Sequence, residues 1–329
     1  MTTTASSDDR RLRARFAMQE GLEHRFFDAA QRERLERHLD LRPGTGDVEV
    51  LVTGWGAPPI GTAELDAMPS LRAILHAAGT VKTFLTEEPL RRGIRVTSAA
   101  AANALPVAEF TLAAILSAGK STAEIADEYA AQPAIDLNEE RFAGIGNYGR
   151  VVGILGASQI GRRVVELLRP FDVEVLVSDP YLAADDPLLA SARSVTLEEL
   201  FATSGIVSVH APDLPQTTGI VSRELLASMR HGAVLINTAR PALVDQPALV
   251  ELLRERRIRA VLDVTDPEPL PLDHPLRSVP GVTLTPHLAG AQGNELRRLG
   301  EAVVREVEAL SAGRPALHPV RPELFGITA

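Results

Sequence analysis

A chain of 329 residues is long enough for about two domains of ordinary size, and 45% hydrophobic with 23% charged residues is the composition of a soluble globular protein, not a disordered or fibrous one. The 43 acidic against 34 basic side chains give a net charge of −9, which argues against a nucleic-acid partner, where a basic stripe is the usual footprint, and toward small molecules. With no cysteine, disulfides, thiolate catalysis and cysteine–zinc sites are excluded, and no ligand cluster for another metal stands out.

The opening stretch MTTTASSDDRRLRAR lacks the apolar core of a signal peptide and carries the Asp8–Asp9 pair that a transit peptide avoids, so it reads as a frayed tail of a cytoplasmic protein. Three aliphatic runs, VEVLVTG, LRAILHAA and IRVTSA, then predict the strands of a small α/β unit before residue 120. The most apolar run, VAEFTLAAIL, is shorter than the roughly 18 residues needed to span a bilayer and contains Glu109. It predicts a buried helix and no membrane partner. The stretch from Val107 to Lys120 is the best place for a crossing between domains.

From residue 150 onward the pattern becomes regular. RVVGILG, VEVLVSD, GIVSVHA, GAVLINTA, RAVLDV and GVTLTPH predict strands, with helix-length segments such as IGRRVVELLRP, SRELLASM and QPALVELLRERR between several of them. Such alternation predicts a doubly wound parallel sheet covered by helices on both faces. NELRRLGEAVVREVEALSAG predicts a long amphipathic helix after the last strand, able to return to the first domain and make it discontinuous. The expected division is 1–118 with 291–329 as the smaller domain and 119–290 as the nucleotide domain.

The stretch VVGILGASQIGRR carries a dinucleotide-site reading. Gly156 follows an apolar strand, Gly161 opens a helix, and Asp179 ends the next strand eighteen residues beyond Gly161. A helix N-terminus offers free N–H groups and partial positive charge to a pyrophosphate, and Asp179 can accept bonds from a ribose hydroxyl while repelling a 2′-phosphate. NAD is therefore expected over NADP. Ser158 stands where the pattern wants its second glycine. Serine is small and its hydroxyl can itself bond a phosphate oxygen, so the turn is expected to tolerate it.

Doubly wound sheets bind ligands beyond the carboxyl ends of their strands, and there the sequence places Asp179, His210, Thr238, Arg240, Asp263 and His287, with Glu268 in TDPEPLP between the last two strands. A planar guanidinium can grip a carboxylate through two parallel bonds, which orients and polarises an adjacent carbonyl. Imidazole exchanges protons near neutrality, and a carboxylate partner fixes its tautomer. Arg240, Glu268 and His287 thus make a candidate anion clamp, orienting acid and proton carrier.

Read in order, GILGASQIGRR, VSDPY, VHAPDLPQTTGIVS, LINTARPALVDQPALVELL, VLDVTDPEPLPLDHPL and LTPHLAG resemble the D-isomer-specific 2-hydroxyacid dehydrogenase family, and AAGTV and NALPVAEFTLAAIL extend the likeness to the first domain. The resemblance implies a Rossmann-type NAD(H) domain with a smaller discontinuous substrate domain, and interconversion of a small 2-keto acid with its D-2-hydroxy acid in the cleft. It also implies a homodimer built through the nucleotide domains. On the matching positions it makes Arg240 the substrate clamp and pairs Glu268 with His287 as acid/base. Cofactor contacts fall on Gln159, Ile160, Asp179, Pro212, Thr238, Ala239 and Asp263, beside the turn residues Gly156, Ser158 and Gly161 and the strand-end His210. Ala78, Gly79 and Thr80 would meet the substrate carboxylate, and Trp55 occupies the region where phosphoglycerate dehydrogenases place an arginine.

The sequence also departs from the family pattern. Pro241 follows Arg240 where glycine is common, the segment from Arg240 to Glu268 is one residue shorter than in many members, and Val81–Lys82 replaces an aspartate with its following histidine or asparagine. The acid at Glu268 argues against formate dehydrogenase, which carries glutamine there. About forty residues follow His287, too few for the regulatory domain of the long phosphoglycerate dehydrogenases. The alternative within the same superfamily is an NAD(H)-sensing, co-repressor-like binding protein.

Overall fold

Parallel pairing dominates the computed structural model, which describes residues 10–42 and 46–325. Asp8 and Asp9 of the expected tail lie outside these residues. The chain divides into two compact units, Met1–Asn103 with Ala291–Ala329, and Ala104–Gly290.

The first unit is built on five parallel strands, β1 (Leu12–Ala17), β2 (Leu39–Leu41), β3 (Val50–Thr53), β4 (Ala73–His76) and β5 (Arg95–Ser98), in the order β2-β1-β3-β4-β5. Strands β3 and β4 are buried throughout, as a sheet covered on both faces requires. Strand β1 corrects the reading of the opening stretch as tail. Leu12, Ala14 and Phe16 alternate with arginines, and the charge count hid that period of two. Arg13 is held at 3.5 Å from both Asp47 and Glu49, and Arg10 reaches Glu49 at 3.0 Å.

Helix Ala29–His38 starts at a capping box in which Asp28 accepts from the Gln31 N–H and Gln31 accepts from the Asp28 N–H. Helix Leu296–Ser311 packs into the same unit, placing Leu296, Leu299, Val303, Val304 and Val307 against Phe26, Phe27 and Leu35. A methyl group on Gly300 would stand 2.0 Å from the Phe26 carbonyl oxygen, so this approach requires glycine.

The second unit carries seven parallel strands, β6 (Arg150–Leu155), β7 (Val173–Ser178), β8 (Arg193–Ser194), β9 (Ile206–Val209), β10 (Val234–Asn237), β11 (Arg259–Leu262) and β12 (Val282–Leu284). Their order is β12-β11-β10-β9-β6-β7-β8. Six of the strands lie within the runs expected from sequence; β8, two exposed residues, has no pattern to announce it. Leu155 is in register with Ser178 on one side and Val209 on the other. The strand order therefore reverses between β6 and β9, where such sheets open a crevice for a ligand.

The apolar run before residue 120 also needs correction. It belongs to a helix of 20 residues, Ala100–Gly119, long and apolar enough by length and composition to cross a membrane. The flanking alanines and serine extend it past the ten residues read from sequence. Ala108 and Ile115 are fully buried with Val152, Ile154 and Val164 of the second unit, which is why the division between units falls after Asn103 and not at residue 118.

Candidate active site

At the end of β6 the chain turns through Gly156, whose φ is +97°. A side chain there would meet the Ala211 nitrogen at 2.7 Å, and one on Gly161 would meet the Gly156 carbonyl oxygen at 2.0 Å. Both glycines are thus demanded by close approach, the first of the turn to β9 and the second of helix Gln159–Leu168 to the turn. The first backbone bond into this helix is donated by Arg162 to the Ser158 carbonyl, and the Ser158 side chain makes no cap. The N–H groups of Gln159, Ile160 and Gly161 are the orphan donors of this first turn.

Ser158 corrects the expectation of a phosphate-binding hydroxyl. Its Oγ donates to the His210 carbonyl at 3.0 Å, so its one proton ties the turn to the end of β9. His210 is itself fully buried, with Nε2 at 2.9 Å from Ser208 Oγ and Nδ1 without a partner among the described residues. Burial lowers its pKa to about 3, which keeps the ring neutral. Asp179 accepts from the Ala157 N–H at 2.6 Å and from the Tyr181 N–H at 2.8 Å, each oxygen keeping a lone pair for a hydroxyl donor. Arg162 lies on the same helix but pairs bidentately with Asp186, at 2.7 and 2.6 Å. That pairing pulls the Asp186 carboxyl down to about 2.

Beyond the switch point, each functional side chain from the sequence rests on a polar residue that grips its backbone. Buried Asn237, at the end of β10, donates from Nδ2 to the Arg240 carbonyl at 2.9 Å and accepts the Ala239 N–H on Oδ1 at 3.0 Å. This closes the turn that presents Arg240. The Arg240 guanidinium donates to the Ala239 carbonyl at 2.7 Å, and no carboxylate pairs with it among the described residues. Pro241 takes the first position of the short 3-10 turn Pro241–Leu243, where a missing N–H costs nothing. The Thr238 hydroxyl is buried at 3.0 Å from that of Thr111, which leaves the Thr238–Ala239 backbone as what this turn presents.

Asp263, 1% exposed at the end of β11, accepts three bonds, from Thr285 Oγ1 (2.6 Å), the Leu288 N–H (2.8 Å) and the Ala289 N–H (2.9 Å). Its carbonyl takes the His287 N–H at 2.9 Å. The loop so pinned holds His287 at φ +54°, a left-handed conformation that histidine enters more readily than most residues. His287 Nδ1 lies 2.8 Å from Glu268 Oε1. An ionised carboxylate only accepts, so Nδ1 carries the hydrogen and Nε2 faces away as the exchangeable end.

Sequence reasoning missed two of these supports, Asn237 and Gln246; the Gln246 side chain meets the backbone of Asp266, two residues before Glu268. The available signal for Asn237 was an amide ending an otherwise apolar strand. Pro212 lies in the loop after β9, its carbonyl accepting from Thr217 Oγ1 at 2.6 Å.

Trp55 and Ala78–Thr80 belong to the first unit, just past the ends of β3 and β4. Trp55 is 38% exposed, with its ring 5.5 Å from that of Phe26. Buried His76 ends β4, with Nδ1 at 2.9 Å from Thr53 Oγ1 and a bond to the Thr80 backbone, so it anchors the loop that follows.

Residues 112–289 match the family model described as D-isomer specific 2-hydroxyacid dehydrogenase, NAD binding domain, over more than half of the chain. The chain belongs to this family. Within it, the sequence is similar to the D-3-phosphoglycerate dehydrogenase of Mycobacterium leprae, 31% identical over 258 residues that cover 78% of this chain and 48% of that one. The chain thus spans about half the length of the phosphoglycerate dehydrogenases that it matches. It is also similar to the glyoxylate reductase of Korarchaeum cryptofilum, 32% identical over 272 residues and 82% of each chain. Among solved structures, the chain is similar to a phosphoglycerate oxidoreductase from Rhizobium etli, with a TM-score of 0.79 at 27% identity, covering 94% of this chain and 98% of that one.

Proposed function

We propose that the chain is an NADH-dependent reductase that converts a small 2-keto acid to its D-2-hydroxy acid, and the reverse. The observation that carries this reading is the 2.8 Å contact of His287 with Glu268, on the same sheet edge as an Arg240 guanidinium with which no carboxylate pairs among the described residues. The glycine turn supports a dinucleotide, since the close packing that Gly156 and Gly161 allow sets the N-terminus of helix Gln159–Leu168 at the end of β6, where its first N–H groups can meet a pyrophosphate.

The residues that would hold NADH are the N–H groups of Gln159, Ile160 and Gly161 at the pyrophosphate, Asp179 at the adenosine ribose, and the Thr238–Ala239 backbone with Pro212 and Asp263 along the nicotinamide half. When bound, NADH supplies a hydride to the keto carbon. Arg240 grips the substrate carboxylate and polarises the keto oxygen. In the first unit, the backbone groups of Ala78, Gly79 and Thr80 are the proposed donors to a substrate carboxylate. His287 gives its Nε2 proton to the oxygen as the alcohol forms, while Glu268 holds Nδ1–H and stabilises the charge on the ring. In oxidation His287 takes that proton back.

Two finer features belong to the same reading. Asp179 opposes a 2′-phosphate, and the nearby Arg162 is committed to Asp186, which favours NADH over NADPH. Trp55 presents an apolar face where a phosphate-bearing substrate would need a cation, which favours an uncharged side chain on the keto acid. The division of labour between a smaller substrate domain and a nucleotide domain, the homodimer and the cytoplasmic location implied by the family complete the proposal. The test is NADH oxidation followed spectrophotometrically with glyoxylate, hydroxypyruvate, pyruvate, phenylpyruvate and phosphonopyruvate, each repeated with NADPH. Turnover with NADH of keto acids whose side chain is uncharged is expected; tight NADH binding without turnover of any of them would overturn the reading.

A further inference from the structure

Glu268 sits in a segment poorly able to hold itself. Prolines at 267, 269 and 271 leave only Asp266, Glu268 and Leu270 with an N–H between residues 266 and 271, and Asp266, Pro267, Glu268 and Pro269 are all exposed. At its far end the segment is anchored by Arg277, which donates to the carbonyls of Leu270 (2.7 Å) and Pro271 (2.9 Å). At its near end the buried Thr265 donates to the Pro267 carbonyl at 3.2 Å. Between these ends one side chain from another element grips the backbone. Gln246 Nε2 donates to the Asp266 carbonyl, and Gln246 Oε1 accepts the Asp266 N–H at 3.0 Å.

Gln246 can do this because its own position is fixed. It is the first residue of helix Gln246–Arg254, whose N-cap Asp245 accepts the Ala248 N–H at 2.9 Å and donates its own N–H to the Val221 carbonyl at 3.0 Å. Ala248, Leu249 and Leu253 seat that helix in the core. Rigidity is thus carried from a packed helix end, through one amide, to the peptide two residues before Glu268.

We infer that Gln246 is a positioning residue for the Glu268–His287 pair: it orders the proline-rich segment so that Glu268 meets His287 Nδ1, without touching substrate or cofactor. The inference rests on the reading of that pair as the acid/base of a keto-acid reductase. An amide is suited to the task because it offers a donor and an acceptor together to the N–H and C=O of one residue, Asp266. Gln246→Glu keeps the acceptor but turns a second carboxylate oxygen toward the Asp266 carbonyl, and Gln246→Ala removes both bonds.

The experiment compares wild type, Gln246→Ala, Gln246→Glu, Glu268→Gln and the double variant Gln246→Ala/Glu268→Gln by steady-state reduction and by NADH titration. Gln246→Ala and Gln246→Glu are expected to lower kcat by about tenfold or more, with the keto-acid KM and the NADH Kd within twofold of wild type. Gln246→Ala should add less than twofold to the loss in the Glu268→Gln background, because the residue whose placement it governs is already disabled. A second readout does not depend on turnover. The imidazole ¹⁵N resonances of His287 in Gln246→Ala should move toward those of Glu268→Gln. If the wild type turns over no keto acid, the proposed function fails, and the ¹⁵N comparison alone decides the role of Gln246. Unmoved His287 resonances, or full additivity of the two kcat losses, would overturn the inference.

Discussion

His287 Nδ1 and Glu268 Oε1 stand 2.8 Å apart although both side chains are about half exposed, at 48% and 41%. A pair so open to water gains little from attraction alone, since exposed ion pairs contribute roughly 0–1 kcal/mol. Its geometry is instead imposed from beneath. Asp263 pins the loop on the histidine side, and Gln246 meets the backbone on the glutamate side.

The first expected outcome follows from that pair. Glu268→Gln keeps size but presents an amide that can donate as well as accept, so Nδ1–H is no longer uniquely held and the protonated ring that must donate in reduction loses its charged partner. Keto-acid reduction should lose about 10²-fold in kcat, within the usual range for an acid/base contribution, while the keto-acid KM stays within about twofold. Steady-state kinetics at saturating NADH measure both. An unchanged kcat would remove Glu268 from the acid/base role.

Arg240 leads to a different pattern. Asn237 fixes the turn from beneath, and the guanidinium faces no competing carboxylate among the described residues. Arg240→Lys retains the charge and loses the two-point grip, so KM should rise and kcat fall together. Arg240→Lys with wild-type KM for every active keto acid would mean that the clamp lies elsewhere.

The nucleotide turn supplies a third outcome. Because the Ser158 hydroxyl is spent on the His210 carbonyl, Ser158→Gly removes a structural bond and not a phosphate contact. Calorimetry should show NADH affinity changed by less than about tenfold, or 1.4 kcal/mol. Ser158→Leu should abolish binding by obstructing the pyrophosphate. Asp179→Ala should narrow the preference for NADH over NADPH, and it should also loosen the turn, since Ala157 loses its acceptor. Ser158→Leu binding NADH like wild type would move the pyrophosphate off this turn.

What the sequence made legible follows from where its signals are local. The glycine turn, the strand ends and the alternation of β6, β7, β9, β10, β11 and β12 each occupy a few consecutive residues, and period and spacing suffice to read them. β1 escapes the sequence reading because its alternation sits among arginines, and the partners of Arg13, Asp47 and Glu49, lie more than thirty residues away. Gln246 and Asn237 were missed for a related reason. An amide that grips a backbone looks in sequence like any surface polar residue, and only the fold brings its partner within reach. The same holds for Ser158, whose proton could be assigned to a phosphate until the His210 carbonyl was seen beside it.

The last outcome concerns pH and the first unit. His76 is buried between Thr53 and Phe84; burial lowers its pKa to about 4, and its bond to the Thr80 backbone recovers only part of that shift. In the unfolded chain a histidine titrates near 6.5, so between about pH 6.5 and pH 4 the unfolded state binds a proton that the folded state refuses. Stability is therefore full above that window and falls as the pH drops through it, by at most about 1.4 kcal/mol per pH unit for this one group. Trp55, the one tryptophan of the chain, lies in the same unit and packs on Phe26, so its fluorescence reports the unfolding of the unit that contains His76. Urea melts between pH 7.5 and 5 should show a smaller loss of stability toward acid in His76→Asn than in wild type, whatever the absolute cost of the substitution. Other titrating groups of the unit act in both proteins and cancel in the comparison of slopes. Parallel slopes would mean that folded His76 accepts a proton as readily as the unfolded chain, and that the anchor beneath Ala78–Thr80 survives in its charged form.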